Sequence, residues 1–136
     1  MYKIMTIEDD KALCINMNES LIKWGFMTSI VGDFEDIIAE FASMKPDLVI
    51  MDVNLPYFDG FYWCSKIREI SKVPIIFVSS RDTNMDIIMA MNTGGDDYIT
   101  KPFSMDILIA KINALLRRTY SYGVQRSEEQ DRKSVV

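Results

Sequence analysis

The 136-residue chain contains no histidine and only two cysteines, Cys14 and Cys64. It therefore lacks the residue that most often serves as a general base or metal ligand, and a zinc or copper site is disfavoured. Both cysteines fall in helical patterns, and we expect them to be buried as small hydrophobic residues and not joined in a disulfide.

Basic residues are too few to offset the acidic ones, and the net charge is −5. The whole acidic excess lies in residues 1–118. Because phosphate contacts need clustered lysine and arginine, we expect such a domain to bind nucleic acid poorly by itself. There is also no run of about 18 apolar residues and no pattern of a signal peptide, so we expect a cytoplasmic protein with no membrane association.

The composition, 49% hydrophobic and 26% charged, is typical of one globular domain. Strand-like and helix-like patterns alternate five times along it. The predicted strands cover residues 4–7, 27–31, 48–52, 75–79 and 97–100. The predicted helices cover residues 10–24, 33–44, 84–93 and 104–118, with another opening at 59–60. Five β-α units predict an α/β fold in which helices cover both faces of a parallel sheet.

Asp52 is the most informative residue, because it follows directly on an unbroken apolar strand. Other polar residues also stand at strand ends: Glu8 and Asp9 after the first, Ser79 at the end of the fourth and Lys101 after the fifth. Open α/β sheets bind their ligands at the carboxyl ends of the strands. We therefore expect these side chains to meet at one edge of the sheet.

Three converging carboxylates would repel one another unless a cation lay between them. A hard divalent ion such as Mg²⁺ prefers oxygen ligands and fits this set, although Glu8 and Asp9 could simply favour the start of the first helix. Lys101 and Ser79 could hold the oxygens of a phosphoryl group, with Asp52 as the nucleophile. Taken singly, a lysine before proline is usually an ordinary loop lysine, and a serine after a strand is usually a helix cap.

The chain resembles, over residues 1–118, the receiver domain of two-component response regulators. The motifs that carry the resemblance are residues 7–10, 47–52, 55–56, 59–60, 78–80 and 98–103. The resemblance implies a doubly wound, three-layer αβα sandwich with a flavodoxin-like strand order of 2-1-3-4-5 and five helices. It also implies that the domain is not an enzyme in the ordinary sense, since its chemistry would be confined to its own Asp52.

The resemblance further implies a role for each residue of the site. Asp52 would accept a phosphoryl group from a sensor histidine kinase. Mg²⁺ would be bound by Asp9, Asp52 and the backbone carbonyl of Asn54, with Glu8 acting through water.

Three more residues would respond to the phosphoryl group. Ser79 and Lys101 would contact it, and Tyr98 would turn inward to follow Ser79. The Lys101–Pro102 peptide bond would be cis.

Residues 94–103 and 116–118 are similar to the OmpR/PhoB class of response regulators. That class carries a C-terminal winged-helix DNA-binding domain, which is absent from this chain. We expect residues 119–136 to be a linker or flexible tail leading to it, so that DNA is bound only through the missing domain and transcription is the output.

Members of that class form homodimers through the fourth helix, fifth strand and fifth helix. Ile87 and Ile107 stand where many members carry an arginine and a glutamate, whereas the charged pair Asp97 and Lys111 is retained. We predict a dimer face with an apolar centre, extended by Ile88 and Leu108. The alternative is that these apolar residues pack into the core of the domain itself.

Three other functions remain open from the sequence. A hydrolase with an aspartyl nucleophile, like the haloacid dehalogenases, would need a second acid where Asn54 stands. A flavodoxin-like flavin protein would need a phosphate-binding loop where residues 8–10 are acidic. A stand-alone phosphorelay or adaptor receiver would share the whole site and differ only in lacking a DNA-binding output domain.

Overall fold

Strands and helices alternate five times in the computed structural model, which describes residues 1–121. The strands are β1 (Lys3–Ile7), β2 (Met27–Ile30), β3 (Leu48–Met51), β4 (Ile75–Ser79) and β5 (Asp97–Thr100). The helices are α1 (Lys11–Lys23), α2 (Ile37–Met44), α3 (Gly60–Arg68), α4 (Asn84–Thr93) and α5 (Met105–Leu116), followed by a π-helical segment, Arg117–Ser121. Within residues 1–121, no helix combines the length and apolar character needed to cross a membrane.

All five strands are parallel and lie in the order β2-β1-β3-β4-β5, which confirms the predicted fold. The register pairs Ile7 with Met51 and Ser79 with Thr100, so the carboxyl ends of the strands reach the same edge. The chain order reverses between β1 and β3, where a doubly wound sheet opens a crevice for ligands. Residues that follow β1 and β3 therefore enter this crevice.

The core has two halves, one on each face of the sheet, because β3 and β4 are buried along their whole length. One half contains Met5, Trp63, Ile67 and Phe77, and the other contains Ile4, Met17, Leu108 and Ile112. The alternation of these side chains along buried strands produces the predicted three-layer sandwich. Cys14 and Cys64 are buried and unpaired, as predicted.

The start of α2 differs from the prediction, which placed its cap at Asp33. The helix begins at Ile37, and Asp36 is its cap, accepting a hydrogen bond from the Ala39 amide at 3.2 Å. The Asp33 carboxylate is engaged elsewhere, because its Oδ1 accepts a hydrogen bond from the Glu35 amide at 3.0 Å. Both acids are good helix caps, but it is the Asp36 carboxylate that accepts from an amide in the first turn of α2.

The end of the last helix also differs from the prediction, which continued it as an α-helix to Arg118. The α-helix ends at Leu116, and the chain goes on as a π-helix to Ser121. Tyr120 holds this segment against the sheet. Its phenol donates to the Asp47 carbonyl at 2.7 Å, and its ring packs on the ring of Tyr2 with the ring centres 5.6 Å apart. The rest of the expected tail, residues 122–136, lies outside the described residues.

Candidate functional site

Glu8, Asp9 and Asp52 meet in the crevice between β1 and β3. Asp52 follows the last residue of β3, and Glu8 and Asp9 lie between β1 and α1. One carboxylate oxygen of each residue lies within 4.8 Å of the others. Glu8 and Asp52 are each only 5% exposed, whereas Asp9 faces solvent.

The Lys101 ammonium joins two of these carboxylates. Its Nζ lies 2.7 Å from Glu8 Oε1 and 3.1 Å from Asp52 Oδ2. The side chain enters the site from the end of β5, beside the Lys101–Pro102 peptide bond, which is cis as predicted. One ammonium offsets only one of three carboxylate charges, so the site keeps an excess of negative charge.

Burial and charge act in opposite directions on the pKa values here. Burial raises the pKa of Glu8 above its ordinary value, although hydrogen bonds from Lys101 and from the Asp10 amide oppose that rise. Burial alone would lower the pKa of Lys101, but its contacts with Glu8 and Asp52 outweigh this and the pKa lies above its ordinary value. Lys101 is therefore a firmly charged group at neutral pH.

The backbone fixes the Asp52 side chain closely. Asp52 Oδ1 accepts a hydrogen bond from the Val53 amide at 2.7 Å, and the Asp52 amide donates to the Ile7 carbonyl at 2.9 Å. α3 begins directly beside this residue, because the Gly60 amide donates to the Val53 carbonyl at 2.8 Å. A Cβ atom on Gly60 would lie 2.1 Å from the Asp52 carbonyl oxygen, so only glycine fits there.

Ser79 and Tyr98 lie on the neighbouring strands β4 and β5 and both contact Arg81. Ser79 is fully buried, and its hydroxyl oxygen accepts a hydrogen bond from the Arg81 amide at 3.2 Å. The half-buried Tyr98 donates its phenol proton to the Arg81 carbonyl at 2.5 Å, and its ring stacks on Phe77. Burial raises the pKa of Tyr98, so the phenol remains a neutral donor at neutral pH.

The donor set suits a hard divalent cation. It consists of carboxylate oxygens, which Mg²⁺ prefers, and it carries an uncompensated negative charge. Asn54 lies two residues after Asp52 in the exposed loop between β3 and α3. The contribution of its backbone carbonyl as a ligand stays a prediction.

The residues of the predicted dimer face lie on α4, β5 and α5. Ile107 is 55% exposed and Ile87 is half-buried. The Lys111 ammonium pairs with Asp97 Oδ2 at 2.9 Å. Ile107 is therefore accessible to a partner, and Ile87 is accessible in part.

The proposed extension of that face is wrong at Leu108, which is fully buried in the core between α5 and the sheet. Ile88 is 51% exposed, and its place in a dimer face stays a prediction. The position of Leu108 four residues before Ile112 puts it on the inner side of α5, whereas the preceding Ile107 faces outward. Leu108 is a core residue.

Sequence reasoning missed Arg81, which contacts both Ser79 and Tyr98. A lone arginine in a loop carries no signal of its own. The nearest indication is the capping box of α4, in which Thr83 and Asp86 bond each other, because it fixes where the loop ends.

The model of the response regulator receiver domain matches residues 4–113. The chain belongs to this family. That result agrees with the acid cluster and the lysine found at the carboxyl edge of the sheet, and it agrees with the leading hypothesis from the sequence.

Several curated relatives are about half identical to this receiver domain. The sensory transduction protein BceR of Halalkalibacterium halodurans is 52% identical over 128 residues, which are 94% of this chain and 55% of that protein. The response regulator protein GraR of Staphylococcus saprophyticus is 48% identical over 121 residues, which are 89% of this chain and 54% of that protein. The chain thus spans about half the length of the curated relatives it matches.

Solved receiver structures share the fold. The N-terminal domain of the nisin resistance regulator NsrR, a lantibiotic response regulator, is 44% identical with a TM-score of 0.79, covering 86% of this chain and 99% of that one. A two-component response regulator from Clostridium difficile is 34% identical with a TM-score of 0.85, covering 88% and 99%.

We predict that Lys101→Met destabilises the protein at neutral pH by about 3 kcal/mol, because Glu8 and Asp52 would be left buried without their cation. Without the hydrogen bond from Lys101, which opposes the effect of burial, the pKa of Glu8 rises further in the folded state and its protonated form is favoured. The loss should therefore shrink as the pH falls toward 4.5, the ordinary pKa of a glutamic acid. Urea unfolding in metal-free buffer at several pH values measures this.

Lys66→Met is the matched control, because Lys66 pairs with Glu69 on the surface. It should cost no more than about 0.5 kcal/mol and show no such pH dependence. Equal losses in the two variants would contradict the buried role of Lys101.

Proposed function

We propose that this receiver domain is a cytoplasmic signalling switch in which Asp52 accepts a phosphoryl group from a sensor histidine kinase, with Mg²⁺ as cofactor. The observation that carries the proposal is the Lys101 ammonium placed between buried Asp52 and Glu8 at the carboxyl edge of the sheet. A fixed cation beside a buried carboxylate is suited to neutralising incoming phosphoryl oxygens. The names of the curated relatives, BceR and GraR, support the same function.

Asp9, Asp52 and the Asn54 backbone carbonyl would hold the Mg²⁺. Glu8, whose two oxygens accept hydrogen bonds from Lys101 and from the Asp10 amide, would act through water. When bound, the ion would supply positive charge to the phosphoryl oxygens during transfer.

The reaction follows from the surroundings of the Asp52 side chain. Its Oδ1 is held by the Val53 amide and its Oδ2 by Lys101. A carboxylate oxygen attacks phosphorus, a new P–O bond forms, and the bond from phosphorus to the donor histidine nitrogen breaks with its electrons leaving on that nitrogen. The product is an acyl phosphate on Asp52, whose added negative charge Lys101 would help to neutralise.

Ser79 would report the modification. Its oxygen accepts a hydrogen bond from the Arg81 amide, and its hydroxyl would turn to donate to a phosphoryl oxygen. A shift of Ser79 toward that group would weaken its bond to Arg81, whose carbonyl holds the Tyr98 phenol. The modification would therefore reach β5 and α4.

The proposed output is homodimerisation through α4, β5 and α5 and, through a DNA-binding domain outside this chain, control of transcription. This part rests on the relatives, of which the chain spans about half. A stand-alone phosphorelay or adaptor receiver is the second candidate, because its phosphorylation site would be the same. Reading the gene beyond the codon for Val136 separates the two.

We predict that a small acyl phosphate with Mg²⁺ adds one phosphoryl group to the protein and that Asp52→Asn abolishes the addition. Intact-mass spectrometry measures it. Asp59→Asn is the control, since Asp59 is the cap of α3 and asparagine caps helices equally well. Equal labelling of the Asp52 variant would place the modification elsewhere.

We predict that Asp9→Asn weakens Mg²⁺ binding by at least about tenfold, since it removes one charged ligand of a hard cation. Isothermal titration calorimetry measures this. Asp10→Asn makes the same change of charge one residue away, at the cap of α1 and outside the carboxylate cluster. It should bind Mg²⁺ nearly as well as the unaltered protein, and comparable losses in both would indicate a purely long-range effect of charge.

We predict that Ile107→Glu weakens dimers of the phosphorylated protein by about tenfold or more, because a carboxylate would be buried in an apolar contact. Ile87→Glu should act in the same direction. Ile22→Glu is the control, because Ile22 lies on α1 and is 56% exposed, much as Ile107 is. Analytical ultracentrifugation measures the dimer, and unchanged sedimentation of the Ile107 variant would disprove this face.

A further inference from the structure

Arg81 has more partners around the phosphorylation site than any role in the chemistry explains. It lies in the loop between β4 and α4, two residues after Ser79. Its backbone bonds Ser79 through the amide and Tyr98 through the carbonyl. The residue is therefore tied to both groups that are expected to respond to the phosphoryl group.

The Arg81 side chain contacts three other residues. Its Nε and Nη2 lie 3.0 and 2.9 Å from Oδ1 of Asp86, in the first turn of α4. Its Nη1 lies 3.4 Å from Oδ1 of Asn54, a weaker contact with the loop that follows Asp52. Its guanidinium carbon lies 5.6 Å from the centre of the Phe61 ring, within the range of a cation–π contact.

These contacts close a ring of residues. Phe61 packs on Phe77 with ring centres 5.7 Å apart, and Phe77 stacks on Tyr98 at 6.0 Å. The Tyr98 phenol then returns to the Arg81 carbonyl. Arg81 thus contacts both ends of a row of three aromatic side chains, which lie on α3, β4 and β5. A shift of any one of these residues must be accommodated by the others.

Asp86 connects Arg81 to α4. While its Oδ1 binds Arg81, its Oδ2 accepts hydrogen bonds from the Thr83 hydroxyl at 2.7 Å and the Thr83 amide at 3.3 Å. The Asp86 side chain is only 12% exposed, so this carboxylate is held on both sides. Movement of the guanidinium would therefore act on the first turn of α4, which leads to Ile87.

We propose that the Arg81 side chain is a positioning group that couples the loop beside Asp52 to the first turn of α4, so that phosphorylation is transmitted to the dimer face. This inference rests on the proposed function. Arg81 takes no part in the transfer itself. Its guanidinium links Asn54, in the loop after Asp52, to Asp86, in the first turn of α4. Without that link, α4 would respond less to phosphorylation of Asp52.

The test compares Arg81→Ala with the unaltered 136-residue protein, each with and without a small acyl phosphate and Mg²⁺. We expect both to take up one phosphoryl group to the same extent. The amide chemical shifts of α4 should change strongly in the unaltered protein and weakly in the variant. The gain in dimer affinity on phosphorylation should fall about tenfold, within the usual range of a coupling between two sites.

Two further variants separate coupling from simple support of the helix. Thr83→Ala removes the hydroxyl that caps α4 and bonds Asp86 Oδ2, but it keeps the Thr83 amide contact and the pair of Arg81 with Asp86, so the response of α4 should persist. Arg81→Lys keeps the charge but not the forked donation, so it should restore only part of the response. If Thr83→Ala lost the response as fully as Arg81→Ala, stability of the first turn would explain both and the proposal would fail.

The remaining outcomes are equally decisive. Should the unaltered protein take up no phosphoryl group, the proposed function falls and the coupling falls with it. Should the unaltered protein and Arg81→Ala show the same change in α4, only the coupling is disproved. Loss of labelling in Arg81→Ala alone would place the guanidinium in the chemistry and contradict a positioning role. If Arg81→Ala does not fold, Asp86→Asn tests the same pair from the other side.

Discussion

The bridge from the half-buried ammonium of Lys101 to Glu8 and Asp52 is the interaction on which the rest of the site depends. Without it, two acids that are each only 5% exposed would lie together in the site with no cation between them. Lys101 lies after β5 and reaches carboxylates that follow β1 and β3. The site therefore exists only when the strand order brings three separate parts of the chain to one edge.

The fold was predictable because β1, β3 and β4 are largely apolar runs and the helices carry apolar stripes, and both signals are local. Two helix ends were not predictable, because particular side-chain contacts decide them. The Asp33 carboxylate accepts a hydrogen bond from the Glu35 amide, and Asp36 caps α2. Tyr120 contacts the Asp47 carbonyl, 73 residues away in sequence, and carries the helical chain past the last α-helical turn.

In the candidate site, too, the sequence predicts some features and the contacts between distant residues decide others. Polar residues at strand ends are visible in the sequence, and their meeting follows from a parallel sheet. Exposure on a helix is less visible: Ile107 and Leu108 are adjacent apolar residues, yet one faces outward and the other is buried. The contacts of Arg81 were not predictable at all, since its partners Asn54 and Tyr98 come from loops and strands far apart in sequence.

Gly60 shows that the geometry of the site also depends on a residue that has no side chain. The start of α3 presses on the Asp52 carbonyl so closely that even a methyl group at Gly60 would displace it. A substitution there would move the Asp52 backbone and its carboxylate although every side chain of the site remained present. Alanine, the smallest replacement, already adds the atom that does not fit, so the spacing between β3 and α3 requires glycine.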